Sequence, residues 1–447
     1  MRTLLNDLAA RAATYLEEAQ TRRVSPSAEA LTGLAELDTP FPDEPLTPQE
    51  LVSLLDRTAS PATMINTGGR FFGFVNGGTL PGALAASWLV NAWDQNAGMR
   101  ICSAPGGLLE EVAIRWTADA LGLPAGGGGI VTGATMANFS GILAARHALL
   151  ARQGWNVEQD GLFGAPPIEV VVGEEVHASM LKALSLAGLG RGRLVRVPVD
   201  GQGRMVASSF PALKPHSLVC VQAGNVNTGA FDPAGEICAK AHQAGAWVHV
   251  DGAFGLWAAA SPRYRHLTAG FELADSWATD GHKWPNAGYD CGIVLLRDPA
   301  QLHAAMSATA SYLVSGASRD PMNYAPDMSR RARGVEFWAT LRSLGRSGLA
   351  ELIERTCGHA SRFAAGLREA GFAVLNDVVI NQVLVSFGSP ERTLEVIRRI
   401  QEDGTCWAGS TVWQGQTAMR ISVSSWVTTE EDVERSLEAI VRVARRS

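Results

Sequence analysis

The sequence predicts an α/β protein whose main domain contains a largely parallel sheet covered by helices on both faces. Between about residues 105 and 300, short β-rich runs alternate with helical stretches, a pattern typical of strand–helix–strand units. Hydrophobic residues make up 46% of the 447 residues and charged residues 18%, so the chain can bury a sizeable core. The predicted strands of this region span residues 168–172, 194–199, 218–222, 247–250 and 292–296.

The length of the chain predicts two or three domains. We expect an N-terminal helical arm (residues 1–60), a large domain (residues 61–335) and a smaller α+β C-terminal domain (residues 336–447). An amphipathic helix and a short helix opened by the capping box of Thr47 and Glu50 cannot form a core alone, so the arm is expected to pack on a second subunit. Other predicted helices span residues 137–152, 180–188 and 235–244. In the C-terminal region, helices are predicted to begin at residues 389–390 and at a capping box over residues 428–431, and strands are predicted at residues 383–387 and 419–423.

The charge pattern and the cysteines exclude several classes of protein. The net charge is −6 and no basic run stands out, so nucleic acid is not an expected partner. The N-terminus lacks the layout of a secretory signal, and no apolar run is long enough to span a membrane, which predicts a cytoplasmic protein without a membrane partner. The six cysteines are scattered without a C-x-x-C pair, so we expect buried, reduced thiols and no metal site.

Two polar side chains at predicted strand ends carry the first signal of chemistry. Lys283 stands in the turn Gly281-His282-Lys283-Trp284, where desolvation can turn its amine into a nucleophile. Asp251 ends a buried strand and needs a cationic partner, for which a protonated pyridine nitrogen would serve. Each residue alone also fits a solvated surface lysine or an aspartate that caps a turn.

Two helix starts add candidate ligands. A glycine-rich turn at residues 126–129 is predicted to lead into a long helix, where backbone N–H groups and the hydroxyl of Thr135 suit a phosphate. The run is neither a dinucleotide-binding fingerprint nor a P-loop, which argues against a Rossmann dehydrogenase. His177 follows another strand, where its ring can stack on a cofactor and contact a substrate carboxylate; a helix-start histidine without a task is the alternative.

Taken together, these motifs resemble the group II pyridoxal-phosphate-dependent decarboxylases, which include the aromatic-L-amino-acid, histidine and glutamate decarboxylases. The resemblance implies a fold type I, aspartate aminotransferase-like architecture and pyridoxal 5'-phosphate as the cofactor. It covers roughly residues 60–430 and rests on the run 132–138, His177, the run 223–233, Asp251-Gly252-Ala253, the run 281–284 and the run 330–338, in this order.

The resemblance implies a role for each matching residue. Lys283 forms the Schiff base with the cofactor, Asp251 pairs with the pyridine nitrogen, and His177 stacks on the ring. Ala253 packs against the ring, and Asn225 lies near its phenolic oxygen. The phosphate is held by Gly133, Ala134, Thr135 and His282.

The resemblance also implies substrate contacts and a proton donor. Arg420 is placed to receive the substrate carboxylate through a bidentate ion pair, with a surface arginine at a strand edge as the alternative. Phe72, Phe74 and Asn76 match a segment that lines the substrate pocket in the family, although either Phe fits a core position equally well. A loop tyrosine protonates the carbanion in the family, and Tyr324, in a segment expected to be flexible between residues 316 and 330, is the candidate here.

The sequence departs from the family at two positions near the expected cofactor. Asn225 and Val226 stand where two threonines are usual, although the Asn225 amide can still donate a hydrogen bond. Asp280 stands where several relatives have asparagine, and a carboxylate beside a phosphate is unfavourable unless it points away.

The predicted function is decarboxylation of an L-amino acid to an amine, with aromatic substrates as first choice because Phe72, Phe74 and the 12 tryptophans offer apolar surface. The alternatives that keep the cofactor are an aminotransferase, a carbon–carbon lyase and a decarboxylating aldehyde synthase. A non-catalytic binding paralogue is the alternative from another class. The expected partners are the amino acid substrate and a second copy of the chain, in a homodimer that shares its active sites.

Overall fold

The computed structural model describes residues 1–308 and 319–446, which form two compact units. The small unit comprises residues 1–78, 359–375 and 383–447, and the large unit comprises residues 79–358 and 376–382. The predicted α/β class is confirmed, because the described part of the large unit contains a seven-stranded, mainly parallel sheet with helices between its strands. The predicted arm, large domain and small domain divide the chain more finely than these units and stay a prediction.

The strands lie close to their predicted positions, since those predicted between residues 168 and 296 are found within two residues of the expected bounds. The strands are β1 (Gly127–Val131), β2 (Glu169–Gly173), β3 (Val195–Val197), β4 (Ser217–Gln222), β5 (Trp247–Asp251), β6 (Ser276–Asp280), β7 (Gly292–Leu296), β8 (Ala373–Val374), β9 (Gln382–Ser386), β10 (Gly409–Trp413) and β11 (Gln416–Ser422).

The helices include each of those predicted, and one of them is interrupted by backbone of positive φ. In α11, Gly345 has φ 58° and ψ −173°, so the helix is broken there. The helices are α1 (Arg2–Glu18), α2 (Ala28–Gly33), α3 (Pro48–Thr58), α4 (Pro81–Trp93), α5 (Ala104–Ala120), α6 (Ala134–Ala151), α7 (Val157–Asp160), α8 (Ala178–Leu186), α9 (Ala234–Gln243), α10 (Pro299–Met306), α11 (Arg333–Glu369), α12 (Pro390–Asp403) and α13 (Glu430–Arg446).

The order of the large sheet, β1-β7-β6-β5-β4-β2-β3, determines where a ligand can bind. All of these strands except β7 run in the same direction, so their carboxyl ends share one edge. In the register, Gln222 of β4 pairs with Asp251 of β5. The helix α6, which is buried along most of its length, packs on β5, β6 and β7 and forms the core with them.

The glycine-rich segment is a strand, which corrects the predicted turn. Gly127–Val131 forms the edge strand β1, paired antiparallel with β7. A Cβ on Gly128 would lie 2.0 Å from the carbonyl oxygen of Val294, and one on Gly129 would lie 2.2 Å from that of Tyr324. These glycines therefore allow neighbouring backbone to approach closely. The turn into α6 comes later, at Thr132 and Gly133.

The small unit contains a sheet of order β10-β11-β9-β8, with α12 packed on β10 and β11 and α13 packed on α12. The capping box at Thr47 and Glu50 forms as predicted. The second predicted box is displaced by one residue, because Thr429 and Asp432 exchange its hydrogen bonds, each N–H donating to the other side chain at 3.1 Å. The side chain at N3 is therefore an aspartate, which serves the same purpose as glutamate.

The cysteines follow the prediction of buried thiols. Five of the six are buried, and Cys102 is exposed. Burial raises the pKa of the Cys238 thiol to about 12, which keeps it protonated and unreactive at neutral pH. Within residues 1–308 and 319–446, no helix combines the length and the apolar character needed to cross a membrane.

Candidate active site

The carboxyl edge of the large sheet collects the polar residues that the sequence singled out. Asp251 is the last residue of β5, and Lys283 follows β6, which ends at Asp280. His177 lies between β2 and α8, and Gly133 lies between β1 and α6. Parallel strands that end at one edge bring these residues into one site.

Asp251 is the buried carboxylate of the site and is only 6% exposed. Burial raises the pKa of Asp251, while electrostatic interactions with His177 and Lys283 and the amide of Asn138 lower it. The nearby carboxylate of Asp280 raises the pKa further. A carboxyl group in this environment is stabilised in its ionised form by a close cation, which a protonated ring nitrogen would supply.

Lys283 presents its amine at the same edge. Its Nζ lies 3.3 Å from Oδ2 of Asp280, and its side chain is 17% exposed. The same nitrogen lies 5.8 Å from the centroid of the Phe254 ring. The amine is therefore held by one carboxylate on an apolar surface, in a place that a small ligand can reach.

Asp280 does not point away from the start of α6, as the sequence suggested that it must. Its Oδ1 accepts the N–H of Ala134, the first residue of that helix, at 2.5 Å. The helix dipole favours a negative charge at this position. One of the N–H groups expected to hold a phosphate therefore already has an acceptor, and the part of Ala134 in phosphate binding stays a prediction. The next N–H, that of Thr135, has no acceptor within its own helix, as is general for a first turn.

His282 is held beside this carboxylate by a backbone carbonyl. Burial lowers the pKa of His282, and its Nδ1 donates a hydrogen bond to the carbonyl of Cys291 at 2.8 Å. The ring stacks on Tyr289 with centroids 4.5 Å apart. Its Nε2 lies 3.6 Å from Oδ2 of Asp280, so this nitrogen faces the start of α6.

His177 is the N-cap residue of α8. Its Nδ1 accepts the N–H of Ser179 at 3.2 Å and lies 2.7 Å from the Oγ of the same residue. Because Nδ1 accepts, the proton of the neutral ring is on Nε2. The cap therefore fixes both the orientation and the tautomer of the ring, as a stacking or proton-transferring histidine requires.

Asn225 is buried, and its side chain holds its own loop. Its Oδ1 accepts the N–H groups of Asn227 at 2.8 Å and Thr228 at 3.2 Å. Its Nδ2 donates to the side chain of Gln222 at 3.3 Å. One amide hydrogen remains for a ligand, so the predicted cofactor contact of Asn225 stays a prediction.

Tyr324 lies in a packed turn rather than in a free loop. Residues 316–318 of the segment expected to be flexible lie outside the described residues, and Pro321–Tyr324 forms a short 3₁₀ helix. The Tyr324 ring contacts His303 edge-on with centroids 5.4 Å apart, and the guanidinium of Arg319 lies 4.3 Å from its centroid. Its role as a proton donor stays a prediction.

The residues expected to contact the substrate belong to the small unit. Phe72 is 1% exposed and packs edge-on against Phe363, so it is a core residue of this unit. Phe74 is 61% exposed with φ 55°, and its ring lies beside Trp407. Asn76 is half-buried, and burial lowers the pKa of Arg420 on β11. Their substrate contacts stay predictions.

A lysine and a buried aspartate at the carboxyl edge of a parallel sheet, next to a helix start, define the class of α/β enzymes that use pyridoxal phosphate. The chain belongs to the pyridoxal-dependent decarboxylase family, because residues 32–388 match the pyridoxal-dependent decarboxylase conserved domain. Its cofactor is therefore pyridoxal phosphate, and its class of reaction is that of a carboxy-lyase.

Known proteins similar to this chain include decarboxylases of different substrates. Tryptophan decarboxylase 1 of Oryza sativa subsp. japonica is 27% identical over 414 residues, which cover 83% of this chain and 79% of that protein. An acidic amino acid decarboxylase of Mus musculus is 32% identical over 262 residues, which cover 56% of this chain and 47% of that protein, about half its length. The crystal structure of Oryza sativa TDC with PLP and tryptamine has a TM-score of 0.91 at 23% identity, with 100% of this chain and 97% of that chain covered, and shows the shared fold.

The residues of the large unit fit pyridoxal phosphate. Within the described residues, the buried Oγ1 of Thr279, which precedes Asp280 on β6, has no hydrogen-bond partner and is available to a ligand. A Cβ on Gly133 would lie 3.3 Å from Cε1 of His282, so the glycine leaves room between α6 and that ring. The amine of Lys283 suits the aldehyde and the carboxylate of Asp251 suits the ring nitrogen.

Proposed function

We propose that the protein decarboxylates a free L-amino acid with an aromatic side chain and releases the amine and CO2. The observation that carries this proposal is the buried carboxylate of Asp251 at the end of β5, at the same sheet edge as the amine of Lys283. Pyridoxal phosphate, when bound, supplies an electron sink for the bond that breaks at the substrate Cα. The residues of the chain bind it, orient the substrate and move protons.

Each residue has a proposed task. Lys283 would hold the cofactor through Nζ. Asp251 keeps the ring nitrogen protonated, because a buried carboxylate strongly favours a cationic neighbour. His177 would stack on the ring, and Arg420 would receive the substrate carboxylate through its fork of N–H donors. The phosphate binds at the start of α6, with the N–H and hydroxyl of Thr135 and with His282 nearby.

The preference for an aromatic substrate is supported by a group of aromatic rings in the small unit. Trp407 lies 5.0 Å from Phe71 and 5.3 Å from Phe74 between ring centroids, and Phe74 is mostly exposed. An acidic side chain would need a cation, but Arg70 of the same segment is buried and donates to the carbonyls of Gln20 and Arg22 at 3.0 Å. The rice relative is named for tryptophan, which agrees with this preference, and the mouse relative is named for acidic amino acids.

Mass spectrometry of the products tests the proposed function. The full chain is incubated with pyridoxal phosphate and each common L-amino acid singly, and we expect an amine from tryptophan, tyrosine or phenylalanine. An amine from an acidic amino acid alone would contradict the aromatic preference and keep the reaction. A keto acid or an aldehyde without amine would favour an aminotransferase or an aldehyde synthase. No uptake of the cofactor would favour a non-catalytic paralogue.

Two groups are proposed to return a proton to the substrate carbon, and we favour His177. It lies at the sheet edge with its tautomer fixed, whereas the ring of Tyr324 is held between His303 and Arg319. We therefore expect Tyr324→Phe to keep amine formation within about tenfold of wild type, and His177→Gln to lose about a hundredfold, as is typical for general acid catalysis. The measurement is the rate of amine formation at saturating substrate. Aldehyde in place of amine from Tyr324→Phe would instead make Tyr324 the donor.

We further propose a cytoplasmic homodimer in which the N-terminal arm packs on the partner. The helix α1 buries none of its residues, and Leu5, Leu8 and Leu16 are between 37% and 48% exposed. Trp88 and Trp93 of α4 are also at least 40% exposed. Exposed apolar surface of this kind is typical of an interaction site. Light scattering of the purified full chain is expected to give twice the 47.4 kDa of one chain.

A further inference from the structure

A hydrogen-bonded network of buried polar side chains leads from Asp251 into the interior of the large unit. Asn138, His249 and Ser276 are fully buried. Nε2 of His249 lies 2.9 Å from Oδ1 of Asn138, and Nδ1 of His249 lies 2.8 Å from Oγ of Ser276. Nε1 of Trp247 donates to the same Oγ at 2.9 Å. This network therefore extends from β6 through β5 to α6 and ends beside the Asp251 carboxylate.

The hydrogen atoms of this network have one consistent arrangement. Burial lowers the pKa of His249 to about 3, so its ring is neutral and carries a single proton. Oδ1 of Asn138 can only accept, so the ring proton of His249 lies on Nε2, and Nδ1 accepts the hydroxyl hydrogen of Ser276. That N–H donates to Oδ1 of Asn138, which turns Nδ2 of the amide toward Asp251. The reverse arrangement would turn the amide oxygen toward a carboxylate.

Asn138 is the residue that connects this network to Asp251. Its amide is close enough to lower the pKa of Asp251. In the described part of the chain, its Nδ2 is nonetheless buried without a completed hydrogen bond. Within those residues the donor has no competing acceptor, so it is available to the Asp251 carboxylate.

The packing of α6 on β5 holds the members of this network together. Residues at alternate positions of a strand share a face, so Trp247, His249 and Asp251 of β5 all point toward α6. A Cβ on Gly141 of α6 would lie 2.4 Å from Cε1 of His249, so only a glycine admits the ring at this position. Asn138 lies one helical turn earlier, on the same face of α6.

We propose that Ser276, His249 and Asn138 form a positioning relay that holds the Asp251 carboxylate toward the ring nitrogen of the cofactor. The inference rests on the proposed role of Asp251 in binding that nitrogen. The other groups around Asp251 are His177, Lys283, Asp280 and the thiol of Cys220. The relay differs from Lys283 because it is uncharged, so it orients the carboxylate without competing with the ring nitrogen for its charge.

The test compares two ligands of the full chain, pyridoxal phosphate and its carbocyclic analogue in which a C–H group replaces the ring nitrogen. We expect wild type to bind pyridoxal phosphate more tightly. Asn138→Leu and His249→Leu are expected to reduce this preference roughly tenfold, the effect of one hydrogen bond to a charged group. His249→Gln keeps a donor near the position of Nε2 and is expected to retain most of the preference.

Ser140→Ala is the matched control, because Ser140 is fully buried on α6 and its Oγ has no hydrogen-bond partner in the described residues. Its preference for pyridoxal phosphate should equal that of wild type. A folded Asn138→Leu protein with an unchanged preference for pyridoxal phosphate would overturn the relay. If His249→Leu does not fold, the result for Asn138→Leu alone decides whether the relay exists. A wild-type protein without any preference would contradict the role of Asp251 itself, and the relay with it.

Discussion

Lys283→Ala is expected to abolish the covalent attachment of the cofactor and to lower the rate of decarboxylation by at least about 10³-fold, because it removes both a nucleophile and a proton carrier. Attachment is measured by reduction with borohydride and mass spectrometry, since only a lysine adduct gains the mass of the cofactor irreversibly. The rate is measured by release of CO2. A variant that still turned over substrate at the wild-type rate would contradict the proposed function.

The matched control for this change is Lys283→Arg. Nζ of Lys283 lies 3.3 Å from the Asp280 carboxylate, so alanine also leaves a buried carboxylate without its cation. Arginine keeps a positive charge there but forms no adduct with the cofactor. We therefore expect both variants to be inactive and only Lys283→Ala to lose thermal stability. Activity in Lys283→Arg would show that covalent attachment is not essential.

Asp251→Asn is expected to lower the rate about a hundredfold or more, the usual effect of removing one partner from a buried charge pair. Asparagine has nearly the same shape, so the loss reports the charge rather than the packing. The measurement is kcat at saturating cofactor, with Asp251→Glu as the control that retains a carboxylate. A rate within a few-fold of wild type for Asp251→Asn would remove the ring nitrogen from the proposed mechanism.

The same variant has the opposite effect on the protein without cofactor. Burial raises the pKa of Asp251 above its unfolded value, so the folded protein binds a proton more readily than the unfolded chain does. The carboxyl therefore costs stability above the unfolded pKa, and this cost disappears as the pH falls. We expect cofactor-free Asp251→Asn to melt at a higher temperature than wild type at neutral pH, with the difference shrinking toward acid pH. A lower melting temperature at neutral pH would contradict the argument.

Much of the fold could be predicted from the sequence because local patterns and tertiary packing agree. The runs that became β4, β5 and β7 are apolar and bounded by turn residues, and their bounds were predicted within a residue. The strand β1 was mistaken for a turn because its glycines suggest flexibility. Their real cause is the close approach of Val294 and Tyr324, which no local pattern reveals.

The candidate site was predicted from several motifs taken together, since each residue alone has other uses at a strand end. Lys283, Asp251 and His177 lie at the carboxyl edge of the sheet, and their roles stay predictions. Asn138 and His249 were given no role because a polar residue within an apolar run has no visible partner until the fold brings α6 against β5. Asp280 was recognised as unusual, but its hydrogen bond to Ala134 depends on the register between β6 and α6.

The Asp280 carboxylate at the start of α6 has a consequence for how the enzyme acquires its cofactor. Lys283 at 3.3 Å and the N–H of Ala134 at 2.5 Å both contact this carboxylate. A bound phosphate would share the start of α6 with a resident anion, and Lys283 would give up its salt bridge to Asp280 in order to hold the cofactor. We therefore expect the site to select ligands that carry both an aldehyde and a phosphate, because inorganic phosphate alone forms no bond with Lys283 to replace the displaced contacts.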